Sequence, residues 1–506
     1  MRALLLAVPA LLFSTPAAAL QTPDRVLKAN MQVEYLREPA RADSWSEWFA
    51  RGTLHGRVRL HGFAWDWETA KTAGTGQTRD NAMLGAGGSV VFRTARWHGW
   101  SATVGGYSTV PLLQENTAAQ VPQTNFGRAG KDTYRTRLDG SEAAIHVLAE
   151  AFAEYRSADW TLRAGRQPID TALLASNDTK MVPQTFEAVR AELRAVPRTT
   201  LTAAFVRRQK LRDHTTYHSV LAYEKSTGND DSGAHRGLTP RNLARGGKDD
   251  EPAILHWTAE TRPTKPVRLA LEYVGVPGAF ALVVGDAAAE FKLGAGWTLT
   301  PGVRWLRQFD RGAGAIGGAA ISGAFALDRT FTASAADRRK LDSYRDPQSV
   351  DGGLGAARVA LARGPWVFSA AVSNIADEAD IVAPWRGFPT GGFTRLMGQV
   401  DWLAGTRNRV ARVDYDFGKT RLTSALKAMG AGGWSDCDDR KVDEGTVTLT
   451  DRRVLAFDVV ASFHRLPQTE FKLRAAVVRA DAKPAATDRR NYESYREVRL
   501  EMNHLF

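Results

Sequence analysis

The chain has one cysteine, Cys437, in 506 residues. No intrachain disulfide can form, and zinc sites built on paired CxxC motifs are excluded. Long apolar runs are also missing. After residue 19 the longest apolar stretches, such as Phe280 to Val284, break within a few residues, whereas a membrane-spanning helix needs about 20. Mean hydropathy is that of a water-soluble protein. There is no linker or composition break, although a soluble chain of this length normally divides into roughly two or three domains. One architecture accommodates all three absences. A transmembrane β-barrel shows lipid only alternate residues of each strand, so its average hydropathy stays low and it has no domain seam.

Residues 1–19 stand apart. Arg2 is followed by an apolar run over residues 3–13, and Ala17, Ala18 and Ala19 give the small-x-small pattern of a signal-peptidase site. The expected division is a cleaved export signal over 1–19 and one transmembrane barrel domain over 20–506, a mature chain of 506 − 19 = 487 residues. The net charge is +12, or 12 − 1 = +11 once Arg2 is lost. Such an excess admits nucleic acid, anionic lipid or anionic solutes. The basic residues are scattered along the chain, which disfavours nucleic acid.

What is present is period-two alternation, repeated to the last residue. Between Glu497 and Phe506 the even positions are apolar except His504, and the odd positions are mostly polar. Leu54, Val58 and Leu60 alternate with His55, Arg57, Arg59 and His61. The same holds for Leu269, Leu271 and Tyr273 against Arg268 and Glu272, and for Val303 and Trp305 against Arg304. It recurs in Ala411, Val413, Tyr415 and Phe417 against Arg412, Asp414 and Asp416, and in Phe471, Leu473 and Ala475 against Lys472 and Arg474. Ile145, Val147, Ala149, Ala151 and Ala153 form an apolar set whose polar face is interrupted by Leu148 and Phe152. Strands with this pattern separate two media, whereas helices would space their apolar residues three and four apart.

Connections alternate short and long. Tight links are expected at 157–158, 195–198, 262–266, 362–365, 418–419 and 466–468, several holding proline, which suits a turn and not a strand interior. Long polar segments cover 111–140, 167–184, 209–250, 309–350, 374–406 and 430–450, with one short link, 276–279, on their side. Short turns at one rim and long loops at the other give an all-β fold, a transmembrane antiparallel barrel of about 18 strands. With 14 Trp and 11 Tyr there are enough rings for interfacial girdles. Trp97, Trp100, Trp160, Trp257, Trp297 and Trp366 are expected near strand ends.

One segment carries a resemblance. Leu162 to Pro168 (LRAGRQP), followed by Ser176 to Ala188 (SNDTKMVPQTFEA), resembles the third-loop signature of OprD-type porins and of Campylobacter-type major porins. Family members usually have Arg where this chain has Lys180, which keeps the cation without the planar fork. Pro384 to Pro389, Phe393-Thr394-Arg395 and Asp414 to Phe417 also resemble the family. The resemblance implies a passive channel whose third loop folds inward as the constriction, with Asn177, Asp178, Lys180, Pro183 and Gln184 in it. Asp178 and Lys180 stand two apart, so an extended loop directs both to one face. Opposed across water they would impose a transverse field; paired to the wall they would only hold the loop.

Arg or Lys facing lipid at mid-depth costs about 2–4 kcal/mol. The alternation therefore directs Arg57, Arg59, Arg163, Arg190, Arg268, Arg304, Arg358, Arg412, Lys472, Arg474 and Arg499 into the lumen. The resemblance implies that such cations form a basic ladder for carboxylate-bearing solutes. Glu150, Glu154, Glu192, Asp414, Glu497 and Glu501 are acids available to pair with them. No cofactor, metal or catalytic residue is expected. Gly312 to Gly317 matches GxGxxG but lies in a long loop rather than a βαβ unit. His214 and His218 have no third ligand in view, and Asp230, Asp231, Asp436, Asp438 and Asp439 are acidic loop clusters.

The expected partners are small polar solutes, anionic or carboxylate-bearing ones above all, together with outer-membrane lipid and lipopolysaccharide in a Gram-negative outer membrane. The sequence leaves a homotrimer open. A cation-preferring general porin and an outer-membrane barrel hydrolase are the alternatives.

Overall fold

The computed structural model describes residues 24–68, 80–114, 144–212, 214–221, 234–328, 344–397, 402–438, 441–443, 447–448, 451–481 and 494–506. The expected export signal, Asp230, Asp231 and Asp439 lie outside these residues.

Eighteen strands close into a barrel in chain order. They are β1 (Thr53–Trp67), β2 (Asn81–Arg93), β3 (Trp100–Gln114), β4 (Ile145–Arg156), β5 (Trp160–Gln167) and β6 (Thr185–Leu193). Then come β7 (Thr199–Lys210), β8 (Ile254–Thr261), β9 (Val267–Val276), β10 (Phe280–Ala289), β11 (Thr298–Asp310) and β12 (Gly352–Arg363). The last are β13 (Trp366–Ile375), β14 (Arg407–Gly418), β15 (Thr423–Asp436), β16 (Arg452–Phe463), β17 (Leu466–Ala480) and β18 (Tyr495–Leu505). Neighbours are antiparallel, and β18 closes on β1 from Tyr495↔Trp67 to Leu505↔Arg57. Phe506 and Gly56 exchange backbone hydrogen bonds at the seam.

The alternation is what sets each strand's inner and outer faces. On β1, Leu54 and Val58 are exposed outward while His55, Arg57, Arg59 and His61 are buried within. Short turns lie at the rim that holds both ends of the barrel, and the other rim carries long connections apart from the expected short link, 277–279, between β9 and β10. The last short turn occupies 464–465, not 466–468, because Leu466 already pairs with Phe463.

β4 corrects the expected assignment of faces. A register shift between Gly105 and Gly106 of β3 places a bulge opposite, where Gly105 pairs with Glu150 and Gly106 with Leu148. The extra residue reverses which side faces in. Ile145 is therefore buried inside against Met181 and Val182, and Leu148 is exposed outside. The interruption seen in the sequence is the bulge.

Trp100, Trp160 and Trp366 begin strands at the short-turn rim and are exposed. A short helix, α1 (Trp45–Ala50), adds Trp45, Trp48 and Phe49 there, packed on one another and on Trp97. Trp257 departs from expectation, since it lies within β8 and stacks on Tyr273.

The lumen is not uniform. One large apolar cluster joins inner residues of β6 to β13 with loop residues such as Leu173, Leu174, Val220, Leu238, Ile316 and Trp385.

Candidate functional site

The loop at 168–184, between β5 and β6, enters the barrel. Its tip is held by Glu272 of β9, which accepts hydrogen bonds from Thr171 Oγ1 at 2.6 Å and Ala172 N at 2.9 Å. His256 Nε2 lies 3.1 Å from the same carboxylate. Farther along, Asp178 meets β1, with Arg57 Nη1 and Arg59 Nη1 each at 2.7 Å. β9 and β1 stand eight places apart in a ring of eighteen, so the loop spans the lumen from wall to wall.

The five candidate loop residues hold this course. Asn177 Oδ1 accepts from Thr179 N at 2.9 Å and from its hydroxyl at 2.6 Å. Pro183 O accepts from Lys210 Nζ at 2.7 Å, and Gln184 Nε2 donates to Gln209 Oε1 at 2.8 Å. Lys180 Nζ sits 3.7 Å above the Phe63 ring of β1, and its carbonyl meets His61 Nδ1 at 3.0 Å. Asp178 and Lys180 thus share one face of the loop and both turn to β1. Acid and cation are not opposed across the lumen; the two side chains grip the wall. With two guanidiniums on one carboxylate the arrangement is favoured by charge-assisted hydrogen bonding.

A second loop, 376–406, meets the first. Ala175 N donates to Trp385 O at 2.9 Å and Gly387 N to Leu173 O at 3.0 Å. Arg304 Nη1 donates to Pro389 O at 3.0 Å, and Arg358 Nη1 to Gly392 O at 3.0 Å.

The segment before the barrel supplies a third element, which the sequence reading did not identify. Residues Arg25–Leu27 and Val33–Tyr35 form an antiparallel hairpin whose tip is buried in the lumen at Met31. Asn30 Nδ2 donates to Asp170 at 3.1 Å, Asn30 O accepts from Asp178 N at 2.8 Å, and Gln32 Nε2 donates to Ser176 O. Arg57 Nη1 donates to Met31 O at 2.8 Å, and Lys472 Nζ to Met31 Sδ at 3.1 Å. Short VxY and RVL stretches flanking an Asn were the only signal.

The eleven candidate cations sit on the inner face and fall into two groups. Arg57, Arg59, Arg304 and Lys472 have side chains at most 4% accessible. They fix the two loops and the hairpin, and Arg358 joins them through Gly392. Arg163, Arg190, Arg268, Arg412, Arg474 and Arg499 are between 18% and 31% accessible, so water reaches them.

Each of those six has an acid. Arg163 meets Glu154 at 2.6 Å, Arg190 meets Glu192 at 3.1 Å and Arg268 meets Glu260 at 2.8 Å. Arg412 Nε meets Asp414 at 2.7 Å, Arg474 meets Asp458 at 3.0 Å, and Arg499 pairs with Glu497. Three of the acids stand two places from their arginine on the same strand. Arg474 and Arg499 are direct neighbours in the β17–β18 register. Of the other predicted acids, Glu501 pairs with Arg59 and Glu150 accepts from Tyr107 Oη at 2.5 Å.

The motifs set aside keep structural roles. Gly314–Gly317 is a four-residue helix in a loop. His214 Nδ1 and His218 Nε2 lie 3.0 Å apart, both buried. Among the described residues no cluster of three or more His, Cys, Asp or Glu could hold a metal.

No family model matches the sequence, and no curated protein matches it. Solved structures do match. Pseudomonas aeruginosa OpdK, solved with vanillate, is 14% identical, with 90% of this chain and 98% of that chain covered and a TM-score of 0.63. Acinetobacter baumannii OccAB3 is 14% identical over 90% of this chain and 99% of its own, with a TM-score of 0.67. Pseudomonas aeruginosa OccK9 (OpdG) is 15% identical over 91% and 99%, with a TM-score of 0.62. These neighbours are porins of the OprD/OccK type, so the fold is the one that the third-loop resemblance implied.

Proposed function

We propose that this chain is an outer-membrane porin of a Gram-negative bacterium, a passive diffusion channel for small polar solutes that favours anionic or carboxylate-bearing ones. The observation that carries the channel reading is the closed barrel whose outer residues are apolar and whose inner wall keeps six water-accessible arginines. Loops 168–184 and 376–406 narrow the lumen, and the mechanism is steric and electrostatic with no covalent step.

The preference for carboxylates rests on the pair Arg474 and Arg499. Like charges directly opposite on a sheet repel, and here Asp458 and Glu497 offset that repulsion. A solute carboxylate entering between the two guanidiniums exchanges with these acids, accepting forked hydrogen bonds at each step. The vanillate named with OpdK is an aromatic carboxylate, which agrees with this chemistry. Lys180 and Arg499 stand over the same Phe63 ring at 3.7 and 5.0 Å, so the loop's cation adjoins this pair.

A second reading is favoured by the same pairing. Because every accessible arginine has an acid, the lumen field is local, and a general porin with cation preference is the rival. Reversal potential across a planar bilayer under a salt gradient separates the two. An anion-weighted potential that weakens in Arg474→Gln/Arg499→Gln supports the proposal, and a cation-weighted one overturns the preference. The enzymatic rival would start from Ser108 Oγ and His146 Nδ1, 2.9 Å apart. Fatty-acid release without conductance would favour it.

A further inference from the structure

The outer face of β14 to β18 carries charge that a channel does not require. At the long-loop rim the register places Arg409, Trp434, Arg453 and Arg479 in one outward row. Arg407 lies two residues closer to the rim on β14, and Arg496 stands opposite Val477 on β18. All five arginines are exposed. Arg453 and Arg479 are directly opposite, an arrangement that repels unless an anion lies between. Three of these arginines have exposed acids of their own, with Arg453–Asp481 and Arg479–Glu68 at 3.5 Å and Arg407–Asp436 at 3.9 Å, pairs that water screens. With Asp66 directly opposite Arg496 on β1, five cations face four acids, 5 − 4 = +1.

Directly beneath this row is an apolar groove of about 670 Å³. Gly430 and Gly432 of β15 form its floor, with Phe368, Val413, Leu455 and Phe457 around them. The row and the groove are joined along single strands, since Leu455 follows Arg453 by two residues, about 7 Å.

We propose that this surface binds a phosphorylated, acylated lipid of the outer leaflet, with its phosphate on the arginine row and one acyl chain in the groove. The inference rests on the barrel's membrane location and not on its solute preference. Guanidinium forks match phosphate oxygens, and the groove continues the lipid-facing belt on which the barrel sits. A second copy would bring the same arginines against these, and free phosphate would leave the groove unused.

The test is native mass spectrometry of the intact, detergent-solubilised barrel titrated with bis-phosphorylated lipid A, its dephosphorylated form, and inorganic phosphate. Two variants address the two parts. Arg453→Gln/Arg479→Gln removes charge, and Gly430→Leu fills the groove at a position where a Cβ meets nothing within 4 Å. Each variant should weaken lipid A binding by about tenfold or more, while single-channel conductance stays at the wild-type value. Only Gly430→Leu should weaken the dephosphorylated lipid. Wild-type lipid A affinity in the double Gln variant overturns the proposal. So does full competition by inorganic phosphate with Gly430→Leu silent, or a doubled mass with the arginine row protected from labelling. Unchanged conductance beside any of these results would leave the channel reading standing.

Discussion

The inner wall solves one problem in two ways. From β6 to β13 the inward positions are largely apolar, among them Phe186, Val206, Ile254, Val274, Phe280, Leu282 and Leu354, and loops fold down to cover them. From β14 to β18 they hold couples of opposite charge, Arg412 with Asp414, Arg474 with Asp458 and Arg499 with Glu497, whose arginines remain in contact with water. The covered half has such couples too, Arg190 with Glu192, Arg268 with Glu260 and Arg304 with Asp286, but two of its acids anchor backbone N–H groups. Asp380 accepts from Ile321 N at 2.9 Å and Ala404 N at 2.8 Å, as Glu272 does for the tip of loop 168–184. The difference teaches that the loops settle where the strands offer apolar surface, so the arrangement of inner side chains decides which side of the barrel stays open.

The sharpest way to break this division is to free the loop that spans it. Asp178→Ala would leave Arg57 and Arg59 buried around a missing carboxylate, a loss of about 3–5 kcal/mol. Single-channel conductance should rise and become noisy while the barrel stays heat-modifiable on a gel. A quiet, wild-type current would show that Asp178 does not hold the loop. Trp385→Ala comes next. The ring is fully buried in the apolar half and its Nε1 donates to Val220 O at 2.7 Å, so truncation should cost about 3 kcal/mol. The expected readout is faster hydrogen exchange at 173–175 and 385–387, with the β14–β18 wall unaffected.

A smaller effect should follow from acidification. His235 lies in the loops over the apolar half, its Nε2 2.8 Å from Gly318 O, and burial pushes its pKa down to about 4. An unfolded histidine titrates near 6.5, so below that value the opened segment takes up a proton before the folded one does. Stability of these loops is therefore intact above about pH 6.5 and is lost as the pH falls towards 4. Protection factors at 235–246, which correct for the slower intrinsic exchange in acid, should be lower at pH 5 than at pH 7, and His235→Gln should remove the difference.

The barrel was legible because period-two alternation survives in nearly every strand, and the bulge in β4 appeared as an interruption at Leu148. The strand number followed from the short and long links. Which loop enters the lumen was legible only through resemblance, since no pattern in 168–184 states that Asp178 will meet Arg57 and Arg59. The N-terminal hairpin was missed because three-residue strands carry no periodicity. The filled half did leave a trace: Phe280 to Val284 is apolar at every position, as a strand must be when both its faces are covered. In the sequence that run looked only like a membrane helix that was too short.

The smallest change in stability belongs to the open half, and it is the most informative about transport. Arg474 is one-fifth accessible but its partner Asp458 is buried, so Arg474→Gln, which keeps an amide donor near that carboxylate, should cost about 1–3 kcal/mol. Its effect on selectivity should be larger than that of Lys180→Ala, because Lys180 is buried against Phe63 whereas Arg474 faces water beside Arg499. Losing this cation leaves Asp458 without its ion-pair partner and turns a neutral couple into a local negative charge. The reversal potential should move towards cations, most strongly at low salt, where screening is weakest. If Arg474→Gln and Lys180→Ala move it equally, the wall and the loop share the selective field, and the division of labour between the two halves does not extend to the solute.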